Sequence, residues 1–328
     1  MREELGIGIG QKELSMALLQ KGKVARRTFR NDAADFAAVT KWLGKHKVKD
    51  LHVCVEATGT MWEGIALYLH EAGYQVSVVN PARISAYSKS LMRRNKTDKL
   101  DAELIARFSA TQQPEAWTPP PPAQRALRDL VRLLDDLQDV KTQQTNRLKS
   151  GVTSAAVLEH LHQHIAYIEE QIAEIAQQIK AVIDDDAQLS HDFALLISIK
   201  GVGFITAALF LAEGIGSYRS SRALTAHAGL NPKYHSSGSS VNRPPKLSTI
   251  GSARLRKALY LPALSALRWN PCVKALADRL KAKNRPKMVI VGAAMRKLLS
   301  LAFGVLKSGR PFDPNYATSH TQLVEATI

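Results

Sequence analysis

The stretch that decides the fold is LHVCVEATGTMWEGIALYLHEAGYQVSVVNP, residues 51–81. Its first apolar run, HVCV at 52–55, is β-prone and ends in Glu56. A helical pattern follows from 61 to 72, and QVSVV at 75–79 reads as another strand, stopped by Asn80-Pro81. Strand, helix and strand in succession favour an α/β domain with a mainly parallel sheet. Working outward, residues 5–10 are a short apolar run interrupted by glycines, 15–19 read as a further strand, and a helix is expected from about 97 to 110.

This α/β domain should span 1–118. Four prolines at 119–122, directly after Trp117-Thr118, admit neither a regular helix nor a central strand and mark a boundary or stiff connector. Two long helices follow. The first, about 123–149, carries Leu127, Leu130, Leu134 and Leu137, and loses the pattern at Lys141 and Gln144. The second carries Leu158, Leu161, Ile165, Ile168, Ile172, Ile175, Ile179 and Val182, an unbroken alternation of three and four. Such a series fits a coiled coil between two chains, the reading preferred here, with a helical hairpin packed within one chain as the alternative. Residues 119–189 are therefore expected to form a proline linker with coiled-coil helices.

From 190 to 230 two helices flank Gly201-Val202-Gly203, a helix-hairpin-helix pattern. Its glycines either expose N–H groups to a phosphate or simply make a tight turn. A Ser/Gly/Pro-rich loop of about twenty residues then leads into a basic helix. A mainly helical domain is expected over 190–312, with a loose tail at 313–328.

The chain has 328 residues, with 45 Lys and Arg against 29 Asp and Glu, a formal charge of +16 and a pI near 9.9. That surplus points to a polyanionic partner, most simply nucleic acid. Cys54 and Cys272 cannot make a disulfide framework or a four-thiolate zinc site and fit a reducing compartment. The opening MREELGIG is charged where a secretory segment is apolar, and no unbroken apolar run approaches about 18 residues. A cytoplasmic protein with no membrane partner is expected.

Glu56 ends an apolar strand, at the edge where α/β sheets usually bind ligands, although a solitary loop glutamate there is commonplace. Asp98 and Asp101 lie three apart on one helix face near its start, a place that also suits acids by capping and dipole. The three carboxylates together suit Mg²⁺. Arg93, Arg94 and Lys96 beside them would draw in a phosphodiester. Ser237, Ser239 and Ser240 surround Gly238 in a loop bracketed by Lys233, Arg243 and Lys246, and Arg254, Arg256 and Lys257 follow on the basic helix. A flexible polar loop is the ordinary reading of that composition. A serine nucleophile would need an activating base or metal and cations for the phosphorane charge. His227 and His235 lie nearby in sequence. No phosphate-binding loop for ATP occurs.

In combination these motifs resemble the DEDD transposases of the IS110 insertion-sequence family, the bridge-RNA-guided recombinases that include the pilin-gene invertases. The resemblance runs from about residue 5 to 312. It covers LGIGIGQKEL, VEATGT, VVNP, RNKTDKLDA, IKGVG, AGLNPKYHSSGSSV, LRKALYLPA and GVLKSGRPFD, all in the family's order. It implies an RNase H-like (RuvC-like) domain, a coiled-coil insertion and a C-terminal transposase domain. It places the catalytic carboxylates on Glu56, Asp98 and Asp101 and the nucleophile on Ser237, with Ser236 one step away. It further implies Mg²⁺ as cofactor, donor and target DNA and a non-coding bridge RNA as partners, and a homodimer that assembles into a tetramer. One position departs: where the family has an Asp in the first strand, this chain has Gly8, which has no side chain to bind metal. Two rival readings are a RuvC-like junction nuclease that uses water, and a non-catalytic nucleic-acid-binding scaffold.

Overall fold

The computed structural model describes residues 2–91, 98–237 and 241–315. The chain divides into two compact units at Pro119/Pro120, within the proline run.

The first unit is a five-stranded sheet between two layers of helices. In chain order its elements are β1 (Glu3–Ile9), β2 (Glu13–Gln20), β3 (Lys23–Arg30), α1 (Ala33–Lys45), β4 (Leu51–Glu56), α2 (Glu63–Glu71), β5 (Gln75–Val79), α3 (Pro81–Ser90) and α4 (Asp98–Gln112). The strand order is β3-β2-β1-β4-β5. β1, β4 and β5 are parallel, whereas β2 is antiparallel to both of its neighbours. The sheet is therefore mixed, because the first three strands are joined by tight turns that permit only antiparallel pairing.

The sequence pattern gave no expectation for 21–50, which forms β3 and α1. β3, KVARRTFR, is an edge strand that buries only Phe29, and its cations keep that edge from pairing with another chain. α1 starts at Asp32, whose side chain caps the helix by accepting from the Asp35 N–H. α3 was likewise unexpected; Asn80 caps it and Pro81 opens it.

Strand alternation separates two cores. Leu5 and Ile7 of β1 and Leu51, Val53 and Val55 of β4 pack with residues of α1 and α2. On the opposite face Cys54 packs with Ile84 of α3 and Leu104, Ile105 and Phe108 of α4. Gly6 lets α4 cross directly over β1, since a Cβ there would collide with the Ala102 carbonyl and the Ala106 backbone.

The second unit comprises α5 (Pro122–Lys149), α6 (Ala155–Asp185), α7 (Ala187–Ile197), α8 (Phe204–Ala212), a 3₁₀ turn (Ile215–Ser217), α9 (Ser221–His227), β6 (Pro232–Ser237), β7 (Val241–Leu247), α10 (Ala253–Ala258), α11 (Tyr260–Trp269), α12 (Pro271–Ala282) and α13 (Lys287–Ser308). α5 and α6 make an antiparallel hairpin within the chain: Leu127, Val131 and Leu134 share a core with Ile175, Ile179 and Ile183. Lys141 and Glu169 pair at 2.8 Å along the same two helices. Val131 and Ile183, not Leu130 and Val182, take buried positions. A 3.6-residue turn drifts off a strict heptad, so the buried stripe moves by one residue. That core continues through α7, α8 and α13.

The segment expected to be an irregular loop is instead a β-hairpin, with β6 and β7 antiparallel and a register shift between Lys233 and His235. Two prolines in β7 concealed it, because proline is excluded from central strands but tolerated in a ribbon that is all edge. α13 is long and apolar enough to cross a membrane by length and composition. It is a core helix here, burying Leu298, Leu299 and Ala302 against the rest of the unit.

Candidate nucleic-acid-processing site

α4 carries the first part of the site. Its Ala102 and Ala106 lie over Gly6, and farther along Ser109 reaches Glu4 and His52 near the starts of β1 and β4. The helix therefore runs against those strands, and its first turn, with Asp98 and Asp101, lies toward their C-terminal ends. Glu56 is the last residue of β4, half-buried, with a hydrogen bond from the Thr58 hydroxyl at 3.2 Å. Alternation puts His52, Cys54 and Glu56 on the α4 side of β4, and Glu4, Gly6 and Gly8 on the α4 side of β1. Ile7 pairs with Val55, so Gly8 comes abreast of Glu56. Position 8, Glu56 and the start of α4 thus share one face and one end of the sheet.

The side chain of Asp98 lies outside the described part of α4, and Arg93, Arg94 and Lys96 lie outside the described residues altogether. Among the described residues no group of three metal-ligating side chains is assembled.

Ser237 ends β6 opposite Val241, in the second unit. Its side chain, and those of Ser236, His235 and Arg243, are outside the description, as are Gly238, Ser239 and Ser240 entirely. At the hairpin's base Lys233 lies directly opposite Lys246, both exposed. Like charges in register repel, and a polyanion relieves that repulsion. The basic helix is more constrained. Arg254 pairs with Asp135 at 3.2 Å and Asp136 at 3.5 Å, and Lys257 pairs with Asp135 at 2.9 Å and Asp139 at 2.6 Å. Arg256 donates to the Ala228 carbonyl at 3.1 Å. These three cations fasten α10 to α5 and to the end of α9. His227 stacks on Tyr218 at 5.3 Å, a packing role. Gly201, at φ +104, is held by the close approach of Ala266, so this glycine serves helix packing.

Sequence reasoning missed a buried polar network at the opposite end of the sheet. Ser109 donates to Glu4 at 2.5 Å, and His52 Nδ1 lies 3.1 Å from the same carboxylate oxygen. His52 Nε2 meets the Ser77 hydroxyl at 2.8 Å, and that hydroxyl also lies 2.7 Å from the Glu115 carbonyl. All four side chains are buried. The signal was polar residues at inward positions of otherwise apolar strands. Between the two ends, burial pushes the Cys54 thiol up to about 12, so it remains protonated and inert.

Two family models match: a DEDD transposase model over residues 5–158 and a transposase model of the IS116/IS110/IS902 family over 193–278. The pilin gene-inverting protein of Moraxella bovis is 33% identical over 94% of this chain and 97% of its own length. The chain belongs to the IS110 family of transposases. A second pilin gene-inverting protein, from Moraxella lacunata, is 32% identical over the same shares. The transposase for insertion sequence element IS1328 of Yersinia enterocolitica is 30% identical over 53% of this chain and 59% of its own. For this transposase family member the first matched segment contains Gly8, Glu56, Asp98 and Asp101, and the second contains Ser237. The first matched segment takes in the mixed sheet, from Leu5 of β1 onward, and the helices on both of its faces.

Proposed function

We propose that this transposase joins donor and target DNA by serine transesterification, guided by a bridge RNA, and that Gly8 impairs the reaction in this copy. The observation that carries the reading is the placement of position 8, Glu56 and the first turn of α4 on one face and end of the sheet. Glu56, Asp98 and Asp101 are an all-oxygen donor set, which fits Mg²⁺, with water and phosphate oxygens completing its shell; without a carboxylate at position 8 the ion would be held more weakly. Bound there, Mg²⁺ would neutralise charge developing on the scissile phosphate. The Ser237 hydroxyl attacks phosphorus, forming a serine–phosphate ester as the bond to the leaving deoxyribose oxygen breaks and that oxygen takes up a proton. Attack by the exchanged strand's hydroxyl then releases the serine, so phosphodiester energy is conserved and no ATP is consumed. Base choice is delegated to RNA pairing, leaving the protein to hold phosphates.

The glycine-rich turn between α7 and α8 reads as a helix-hairpin-helix. The α5–α6 hairpin, as a coiled-coil element, reads as the contact between protomers of a dimer and then a tetramer that brings carboxylates and serine together. The site works in the cytoplasm. Gly8 also favours a second reading for this copy, a nucleic-acid-binding scaffold that assembles without cutting.

Restoring the carboxylate tests both readings. Gly8→Asp should bring Mg²⁺-dependent covalent protein–DNA adduct, seen on a denaturing gel, from near background to a clear band. Adding Ser237→Ala should remove it. Robust recombination by the chain as it stands would refute the impairment, and an adduct that survives Ser237→Ala would move the nucleophile to Ser236 or another hydroxyl.

A further inference from the structure

The turn between α12 and α13 lies almost wholly beyond the matched segments and carries Arg279, Lys281, Lys283, Arg285 and Lys287, five cations in nine residues. Only Lys281 has an acidic partner, Asp278 at 3.3 Å; the other four have none among the described residues. Every residue from 281 to 289 is exposed, including Met288 at 65% and Val289 at 48%. Among the described residues no acid relieves the mutual repulsion of the other four charges.

The turn is also built, unlike a basic tail. Asn284 takes the left-handed conformation, φ 51. Its N–H bonds the Lys281 carbonyl at 2.8 Å, and the Arg285 N–H bonds that of Leu280 at 3.1 Å. That closure ends α12, and Pro286 then opens α13. The cations are held on fixed backbone, so less ordering is lost when they engage a ligand. α13 ties the turn to the serine hairpin: Leu247, the last residue of β7, seats on Gly292, where a Cβ would lie 3.4 Å from its Cδ1. Gly292 is five residues beyond Lys287, about 7.5 Å along the helix. Lys246, next to Leu247, extends the positive surface onto the hairpin.

We infer that the α12–α13 turn is a phosphate-binding surface that grips the DNA strand flanking the serine hairpin. A strand whose charges recur about every 3.4 Å of rise passes from turn to hairpin within two or three nucleotides. The choice of DNA as occupant rests on the proposed role of Ser237, since the strand that meets the hairpin is the one to be joined.

The test is binding of the full chain to a duplex DNA and to a stem-loop RNA of matched length, titrated with salt, for wild type and for R279Q/K283Q/R285Q/K287Q. These side chains are exposed, so the fold should be retained, and Lys283→Arg/Lys287→Arg serves as the charge-preserving control. Each lost phosphate contact lowers the salt slope by about 0.9, so the fourfold variant should lose about 3–4 on duplex DNA, with at least tenfold weaker binding and a smaller effect on RNA. An equal or larger loss on RNA overturns the assignment to DNA, and an unchanged slope on both overturns the surface. Adduct formation by the Gly8→Asp chain reports separately on Ser237. An adduct with an unchanged slope therefore sinks only the turn, and a lost slope without an adduct sinks only the serine.

Discussion

The two ends of the five-stranded sheet use similar side chains to opposite purposes. At the N-terminal ends of β1 and β4, Glu4, His52, Ser77 and Ser109 form a closed chain of hydrogen bonds, all buried. At the C-terminal ends, Glu56 is half-buried, with one hydrogen bond from its neighbour Thr58, and Gly8 leaves the adjoining position bare. A carboxylate, a histidine and serines in contact would pass for catalytic machinery on composition alone. They are sealed from solvent, whereas the sparse end, where Glu56 is half-exposed, is the one to which the proposed function assigns the phosphate. Accessibility, more than residue type, separates structure from chemistry here, and α4 spans the distance between the two.

The largest effect should follow from breaking the closed end. His52→Ala removes the contacts to Glu4, Ser109 and Ser77 together and leaves buried polar groups without partners, each costing about 1–3 kcal/mol. A total loss of about 3 kcal/mol is expected in urea denaturation at neutral pH. A loss below about 1 kcal/mol would mean that the network is replaceable and that packing alone anchors α4.

The difference between the ends also explains how much could be read beforehand. The strands 51–56 and 75–79 and the helix 61–72 announced themselves by apolar runs and periodicity, because both faces of that sheet are covered. β3 did not, since its exposed edge spends its residues on arginine and lysine. The carboxylates proposed for the open end were picked out by their position after a strand and at a helix start. The closed network was missed because Glu4 and Ser77 sit in strands whose burial only tertiary pairing reveals, and Ser109 lies 57 residues from His52. The serine hairpin was taken for a loop on composition, and the fastening of Arg254 and Lys257 to α5 spans more than a hundred residues.

A smaller effect tests the middle of α4, where Glu103 is gripped by Arg26 of β3 and by Arg107. Burial alone would raise its carboxyl; hydrogen bonds from Arg107 and Arg26 outweigh that and hold it below the usual range. A carboxyl depressed by folding stabilises fully above its unfolded value, and that contribution fades as pH falls through its folded value. Arg26 is about half exposed, so Arg26→Gln should cost only about 1 kcal/mol near neutrality and progressively less into acid. Midpoints of urea unfolding across that range should converge for the two proteins. A gap that stays constant would assign the cost to the arginine's stem packing on the sheet instead.

The smallest stability effect belongs to the open end, and there smallness is the point. Glu56→Gln keeps the shape and an oxygen for Thr58, at a half-exposed position, so stability should change by less than about 0.5 kcal/mol. In the Gly8→Asp background the same change should abolish the Mg²⁺-dependent adduct, because the amide oxygen is a far weaker ligand than the carboxylate. Two carboxylates facing each other across positions 8 and 56 should also repel until a cation neutralises them. The melting temperature of Gly8→Asp should then rise on adding Mg²⁺ more than that of Gly8→Asp/Glu56→Gln. Equal responses would detach Glu56 from the metal and reduce the open end to an ordinary strand terminus.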